Sequence, residues 1–92
     1  MLHQQSRLAR LDRVIFQQAQ GKHVLLNLAD GQYYALDEVG SRIWSLCDGT
    51  RAVSDIAAVL AEEYDAPGAT IEADALELLE ELLHANLVVD AT

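Results

Sequence analysis

Ninety-two residues make one domain with one small core, because a chain of this length buries only about 60–65% of its unfolded surface. Six Lys and Arg stand against fifteen Asp and Glu, a net charge of −9 with His neutral, which excludes a sequence-independent grip on phosphates. No apolar run approaches the roughly 18–20 residues that cross a bilayer. Residues 1–10 lack the apolar core and cleavage site of a secretory signal, and Cys47 is the one cysteine. The expectation is a cytoplasmic protein with no internal disulfide and no membrane partner.

The charge is unevenly spread. Residues 1–22 hold Arg7, Arg10, Arg13 and Lys22 against Asp12, for +3, and residues 23–92 hold two Arg against fourteen acids, for −12. Residues 1–11 carry no clear pattern and are set apart as a flexible start, with one domain over 12–92.

Arg13-Val-Ile-Phe-Gln17 is a short β-prone run, followed by His23–Leu28 and Gln32–Leu36. Asp30-Gly31 between the last two predicts a hairpin, since both residues tolerate the positive φ of a tight turn. A two-residue loop pairs Leu28 with Tyr33 and Leu26 with Ala35. One face then carries Val24, Leu26, Leu28, Tyr33 and Ala35, the other Leu25, Asn27, Tyr34 and Leu36. Both are substantially apolar, which is unusual for an antiparallel sheet with one wet side.

Asp37 suits the N-cap of a first helix whose stripe is Val39, Ile43, Trp44, Leu46 and Cys47, ending at Gly49. Val53, Ile56, Ala57, Leu60, Ala61 and Tyr64 define a second amphipathic helix with a poor cap at Ala52. Ala66-Pro67-Gly68 stops it. Thr70 caps a third helix built on Ile71, Ala75, Leu79 and Leu82, and Leu87-Val88-Val89 returns as a strand. The order β-β-β-α-α-α-β predicts an α+β domain of the winged helix-turn-helix kind: a three-stranded antiparallel sheet, three helices and a short C-terminal strand. Ile43, Trp44, Ile56, Leu60, Leu79 and Leu82 are expected in its core.

A DNA-reading third helix needs Arg, Lys, Asn or Gln at base edges. Here it offers Glu72, Asp74, Glu77, Glu80 and Glu81, so nucleic acid is excluded as a partner. His3, His23 and His84 fall on separate elements without metal-ligand spacing. Cys47 sits on an apolar stripe and reads as a small core residue rather than a nucleophile. No catalytic residues, metal or cofactor are therefore expected. The strand Gln32–Leu36, last in its meander, offers an edge that can accept another chain, with Tyr33, Tyr34 and Leu78 beside it. The alternative is that both tyrosines pack into the core and the chain's own N-terminus covers the edge.

Tyr33-Tyr-Ala-Leu-Asp-Glu-Val-Gly-Ser-Arg-Ile-Trp-Ser-Leu46, Asp48-Gly49, Val53-Ser-Asp-Ile56, Leu60, Tyr64 and the closing Leu82…Asn86-Leu87-Val88 resemble the PqqD-like family, also called RiPP recognition elements, over about residues 12–90. The resemblance implies a winged helix-turn-helix that has lost DNA binding. It captures the leader of a ribosomally made precursor peptide as an added strand between the third strand and third helix. Within the family, Asp30-Gly31-x-Tyr33-Tyr34-x-Leu36, Gly40 and Ile43-Trp44 look more like the stand-alone leader-binding proteins of lasso-peptide clusters. The pyrroloquinoline quinone protein usually has Pro-Glu where this chain has Ala29-Asp30. A leader peptidase of the cysteine protease type, and a cyclase, are the partners so implied. A peptide chaperone of quinone-cofactor synthesis and a regulatory winged-helix interaction domain are the alternatives. On the leader-binding reading Tyr33, Tyr34, Ala35 and Leu36 supply the pairing edge and its pockets. Asp74, Leu78 and Glu81, on one helix flank, line the opposite wall, and Leu26 and Leu28 floor the groove.

Overall fold

The computed structural model describes residues 2–19 and 22–92. Among them the elements run β1 (Arg7–Arg10), β2 (Val14–Ala19), β3 (Lys22–Asn27), β4 (Tyr33–Leu36), α1 (Glu38–Ser45), β5 (Asp48–Ala52), α2 (Val53–Tyr64), α3 (Gly68–His84) and β6 (Val88–Asp90). The fold is α+β, but the single expected sheet is two: β5-β1-β6 and β2-β3-β4, each three-stranded and antiparallel. Neither β1 nor β5 shows in the hydrophobic pattern. β1 buries only Leu8 fully, and β5 reads Asp-Gly-Thr-Arg-Ala, with the left-handed Gly49 (φ +84°) beside Asp48. The stretch set apart as a flexible start therefore supplies the central strand of a sheet, and Leu2 and Leu8 are both buried.

That segment also resolves the weak start of α2. The first N–H groups of a helix have no partner within it. Here Val53 N–H donates to the Ser6 carbonyl (3.0 Å) and Ser54 N–H to the Gln4 carbonyl (2.8 Å). Ala52 N–H donates to the Asp55 carboxylate at 3.0 Å. α3 begins at Gly68 behind Pro67, whose φ of −60° and ψ of 128° start the turn. Thr70 thus lies inside the first turn rather than at the cap. The helix closes on Asn86 at φ +60°: Asn86 N–H returns to the Leu83 carbonyl (3.2 Å) and Leu87 N–H to the Leu82 carbonyl (2.9 Å). This Schellman arrangement releases the chain into β6.

The β3–β4 register differs from the two-residue loop. Leu26 pairs with Tyr33 and Val24 with Ala35, not Leu26 with Ala35 and Leu28 with Tyr33. Asn27 causes the difference. Its N–H donates to the Gln32 carbonyl and its carbonyl accepts from Gly31 N–H, both at 2.8 Å. Its Oδ1 accepts from Ala29 N–H (2.8 Å), and its Nδ2 donates to the Asn86 carbonyl (2.6 Å). The loop therefore spans residues 28–31, pinned by a buried asparagine to the end of α3. Because the register moves by an even number of residues, every side chain keeps its expected face.

The core lies between the inner face of β2-β3-β4, the three helices and β1. Ile43, Trp44, Ile56, Leu60, Leu79 and Leu82 are all buried in it, joined by Leu8, Leu25, Leu36 and Val88. Cys47 is buried as well; its thiol donates to the Ile43 carbonyl (3.3 Å), and burial pushes its pKa up to about 12.

Candidate functional site

β4 pairs with β3 alone among the described residues. The N-terminus does not cover it, since β1 pairs with β5 and β6 and Leu2 N–H donates to Glu80 (2.8 Å). Antiparallel strands alternate residues whose backbone groups face the partner with residues whose groups face away. The Asn27 N–H to Gln32 carbonyl bond sets the phase, so Leu25–Tyr34 and His23–Leu36 are the bonded pairs. On the other side of β3, the Leu28 N–H to Arg13 carbonyl bond (2.8 Å) fits the same phase. The N–H and C=O groups of Tyr33 and Ala35 consequently face outward along the open edge.

Beside that edge is a groove of about 330 Å³ lined by Asp37, Val39, Gly40 and Ile43 of the β4–α1 segment and by Asp74 and Leu78 of α3. Asp37 caps α1 by accepting Gly40 N–H at 2.7 Å. Gly40 lets the walls approach: a Cβ there would lie 3.1 Å from Asp37 Oδ1, 3.3 Å from Leu36 Cδ2 and 3.4 Å from Leu78 Cδ2. The floor is apolar and the rim carries two carboxylates.

Farther along α3, the Tyr34 hydroxyl donates to the Glu81 carboxylate and ties β4 to the helix. That hydrogen bond, helped by burial and the nearby negative charge, raises the Tyr34 phenol from 10.0 to about 12.

The structure thus brings Tyr34, Leu36, Asp74, Leu78 and Glu81 to the inner side between β4 and α3. Tyr33 and Ala35 reach the edge through their backbone, while their side chains share the outer face with Leu26 and Leu28. Leu26 and Leu28 do not floor the groove, and Leu28 is 57% exposed on the opposite side of the sheet. The floor belongs to Val39, Gly40 and Ile43, which sequence reasoning treated as helix stripe and motif glycine. The signal for them was the spacing Asp37-x-x-Gly40-x-x-Ile43, one turn apart along the start of a helix. Among the described residues no three His, Cys, Asp or Glu side chains gather to hold a metal, and no helix is long and apolar enough to cross a membrane.

A small α+β domain with an open strand edge beside an apolar, acid-rimmed groove is the class these features define. The family model described as "Coenzyme PQQ synthesis protein D (PqqD)" matches residues 22–88, and the chain belongs to the PqqD family. It is 42% identical over 73 residues to the bifunctional coenzyme PQQ synthesis protein C/D of Methylorubrum extorquens. That match takes in 79% of this chain but only 19% of that longer protein. The solution structure of the PqqD truncation of Methylobacterium extorquens PqqCD, described as a functional, stand-alone RiPP recognition element, is similar with a TM-score of 0.83 and 30% identity. The match covers 97% of this chain and 95% of that one. TbiB1 in complex with the TbiA(beta) leader peptide is similar with a TM-score of 0.75 and 34% identity, over 87% and 93% of the two chains.

Proposed function

We propose that this chain is a non-catalytic recognition element that holds the leader of a ribosomally made precursor peptide as an added strand on β4. The observation that carries the reading is the free edge at Tyr33 and Ala35, which leads in the chain directly into the groove that Asp37, Val39, Gly40 and Ile43 form with Asp74 and Leu78 of α3. An extended peptide there gains backbone hydrogen bonds of about 0.5–1.5 kcal/mol each, with side-chain pockets supplying specificity. Val39, Ile43 and Leu78 give the groove its apolar contact and Asp37 and Asp74 its rim, with Leu36 packed beside Gly40 and the Tyr34–Glu81 pair farther along α3. TbiB1, at 34% identity, is described in complex with a leader peptide, which supports the same role here. The third helix, too acidic for DNA, suits a scaffold of winged helix-turn-helix type turned to peptide capture.

The chain performs no chemistry on this reading. Its one thiol is buried with its pKa near 12, far from the thiolate a nucleophile needs. It works by concentrating the precursor at a leader peptidase of the cysteine protease type, and at a cyclase, in the reducing cytoplasm. The Tyr33-Tyr34-x-Leu36 pattern and Ala29-Asp30 in the hairpin favour a lasso-peptide precursor. The C/D protein of coenzyme PQQ synthesis, at 42% identity, favours the second reading, a quinone-cofactor precursor.

Titration calorimetry with two synthetic peptides separates them: the leader encoded beside this chain's gene, and the precursor of coenzyme PQQ synthesis. Saturable binding of the lasso-type leader, with amide shifts at Tyr33 and Ala35, is expected. Tighter binding of the quinone precursor would select the second reading. No heat and no shifts with either at tens of micromolar would contradict both.

A further inference from the structure

A strand added to β4 has an alternation of its own, and the ladder phase fixes it. Leader residues opposite Tyr33 and Ala35 share backbone bonds with them, and those opposite Tyr34 and Leu36 turn their side chains to the inner side, toward α3. The side chain opposite Tyr34 is directed toward the Tyr34–Glu81 pair. The one opposite Leu36 is directed to the place where Leu36 Cδ2, Leu78 Cδ2 and Asp37 Oδ1 lie within 3.4 Å of a Cβ built on Gly40. Asp74 stands across the same groove on α3. This end is apolar at its floor and anionic at its rim, and among the described residues no base of the chain pairs with the rim. Beyond residue 22 there are two bases, Arg42 and Arg51. Arg42 pairs with Glu63 at 2.7 Å and Arg51 with Asp48 at 2.8 Å. α3 holds Glu72, Asp74, Glu77, Glu80 and Glu81 without a Lys or Arg. Asp37 accepts the Gly40 N–H on one oxygen, and a carboxylate has acceptor positions beyond that one.

We propose that the leader residue opposite Leu36 is a Lys or Arg, its stem along Leu78 and the groove floor and its head between the Asp37 and Asp74 carboxylates. The proposal rests on the leader-binding reading above and adds the class of leader this chain selects. The free edge and the groove define the site; the carboxylates define what fits it. Long basic side chains lay their methylenes on apolar surface and keep the charged head in water or paired. An apolar floor under an acidic rim is the complement of such a side chain. A purely apolar residue would use the floor and leave the rim without effect, and an acidic one would meet two like charges. Asp37 and Asp74 are both exposed, so the attraction is that of a partly solvated pair and weakens with salt. Leu78 lies under the stem rather than at the head. A carboxylate in its place therefore removes the stem's support and does not supply a further partner.

The test titrates the full chain with the leader encoded beside its gene, acetylated at the N-terminus so that only side chains carry positive charge. Each Lys and Arg of the leader is replaced singly by Gln. One replacement is expected to weaken binding about tenfold, since its head loses both carboxylates, and Asp74→Asn to weaken the wild-type leader about fourfold. Asp37→Asn keeps an acceptor for the Gly40 N–H and should act as Asp74→Asn does. In the protein carrying both Asn substitutions, the same Gln replacement should cost nothing further, because the interaction it removes is already gone. Added salt should weaken the wild-type pair and leave the neutralised pair nearly unchanged. All these proteins are expected to keep the wild-type melting temperature. A leader without a base in its bound strand overturns the proposal. So do Gln replacements that all bind as tightly as the original, or a replacement whose cost is the same with and without the two carboxylates. A wild type that binds no form of the leader at any salt removes the leader-binding reading itself, a result distinct from equal binding by base-free leaders.

Discussion

Ala35→Pro separates the edge from the ladder. Ala35 is exposed in the middle of β4, and the phase of the β3–β4 pairing points its N–H away from β3. Proline removes that N–H and nothing from the ladder, the one arrangement in which sheets accept it. Its fixed φ near −65° departs from the antiparallel value near −140°, so some strain is expected, about 1 kcal/mol, or roughly 4–8 °C in Tm for a chain of this size. Binding loses more. One backbone hydrogen bond disappears and a leader carbonyl is left unpaired, together about 2 kcal/mol, or about thirtyfold in Kd. Tyr34→Pro is the comparator. Tyr34 N–H faces Leu25, so that substitution breaks the ladder and is expected to cost about 3 kcal/mol or more of stability. Calorimetric titration of the leader and a far-UV melt read both quantities. Equal destabilisation by the two prolines, or wild-type affinity in Ala35→Pro, would refute the assignment of the free edge.

Three further outcomes follow from the same geometry. Leu78→Glu places a charge between Asp37 and Asp74 on a half-buried side chain; leader affinity should fall at least tenfold while stability falls about 1 kcal/mol, and a loss typical of a core leucine would reassign Leu78. Tyr34 should ionise near pH 12 in an ultraviolet titration, a step that Tyr34→Phe removes; because its folded pKa lies above the ordinary 10.0, the tie to Glu81 stabilises fully below pH 10 and is lost between 10 and 12. Asp48, held down to about 2 by the Thr50 hydroxyl and N–H and by Arg51, contributes stability above its usual 3.8 that disappears as pH falls toward 2; melts across that window should be flatter in Asp48→Asn.

What the sequence disclosed depended on how much of an element's energy is periodic. The helical stripes were legible because α1, α2 and α3 each bury one face, and Ile56, Leu60, Leu79 and Leu82 fell where 3.6-residue spacing puts them. The inner and outer faces of β3 and β4 were legible too, and survived an error in register because that error was even. The register itself depended on Asn27, whose side-chain bonds to Ala29 and to Asn86, 59 residues away, no local pattern contains. β1 and β5 escaped because strands of four and five residues, one with Arg at both ends and the other reading Asp-Gly-Thr-Arg-Ala, look like tail and loop. The groove was half legible. Leu36, Asp74 and Leu78 follow from strand and helix order, but its floor at Gly40 and Ile43 depends on how closely α1 approaches α3, a matter of packing.

Amide hydrogen exchange at single-residue resolution, with and without saturating leader, tests the central assignment most directly. In the free protein Tyr33 and Ala35 should exchange quickly and Tyr34 and Leu36 slowly; with leader bound, all four should be slow. Protection of Tyr33 and Ala35 before leader is added, or protection appearing instead at Phe16 and Gln18 on the β2 edge, would contradict it.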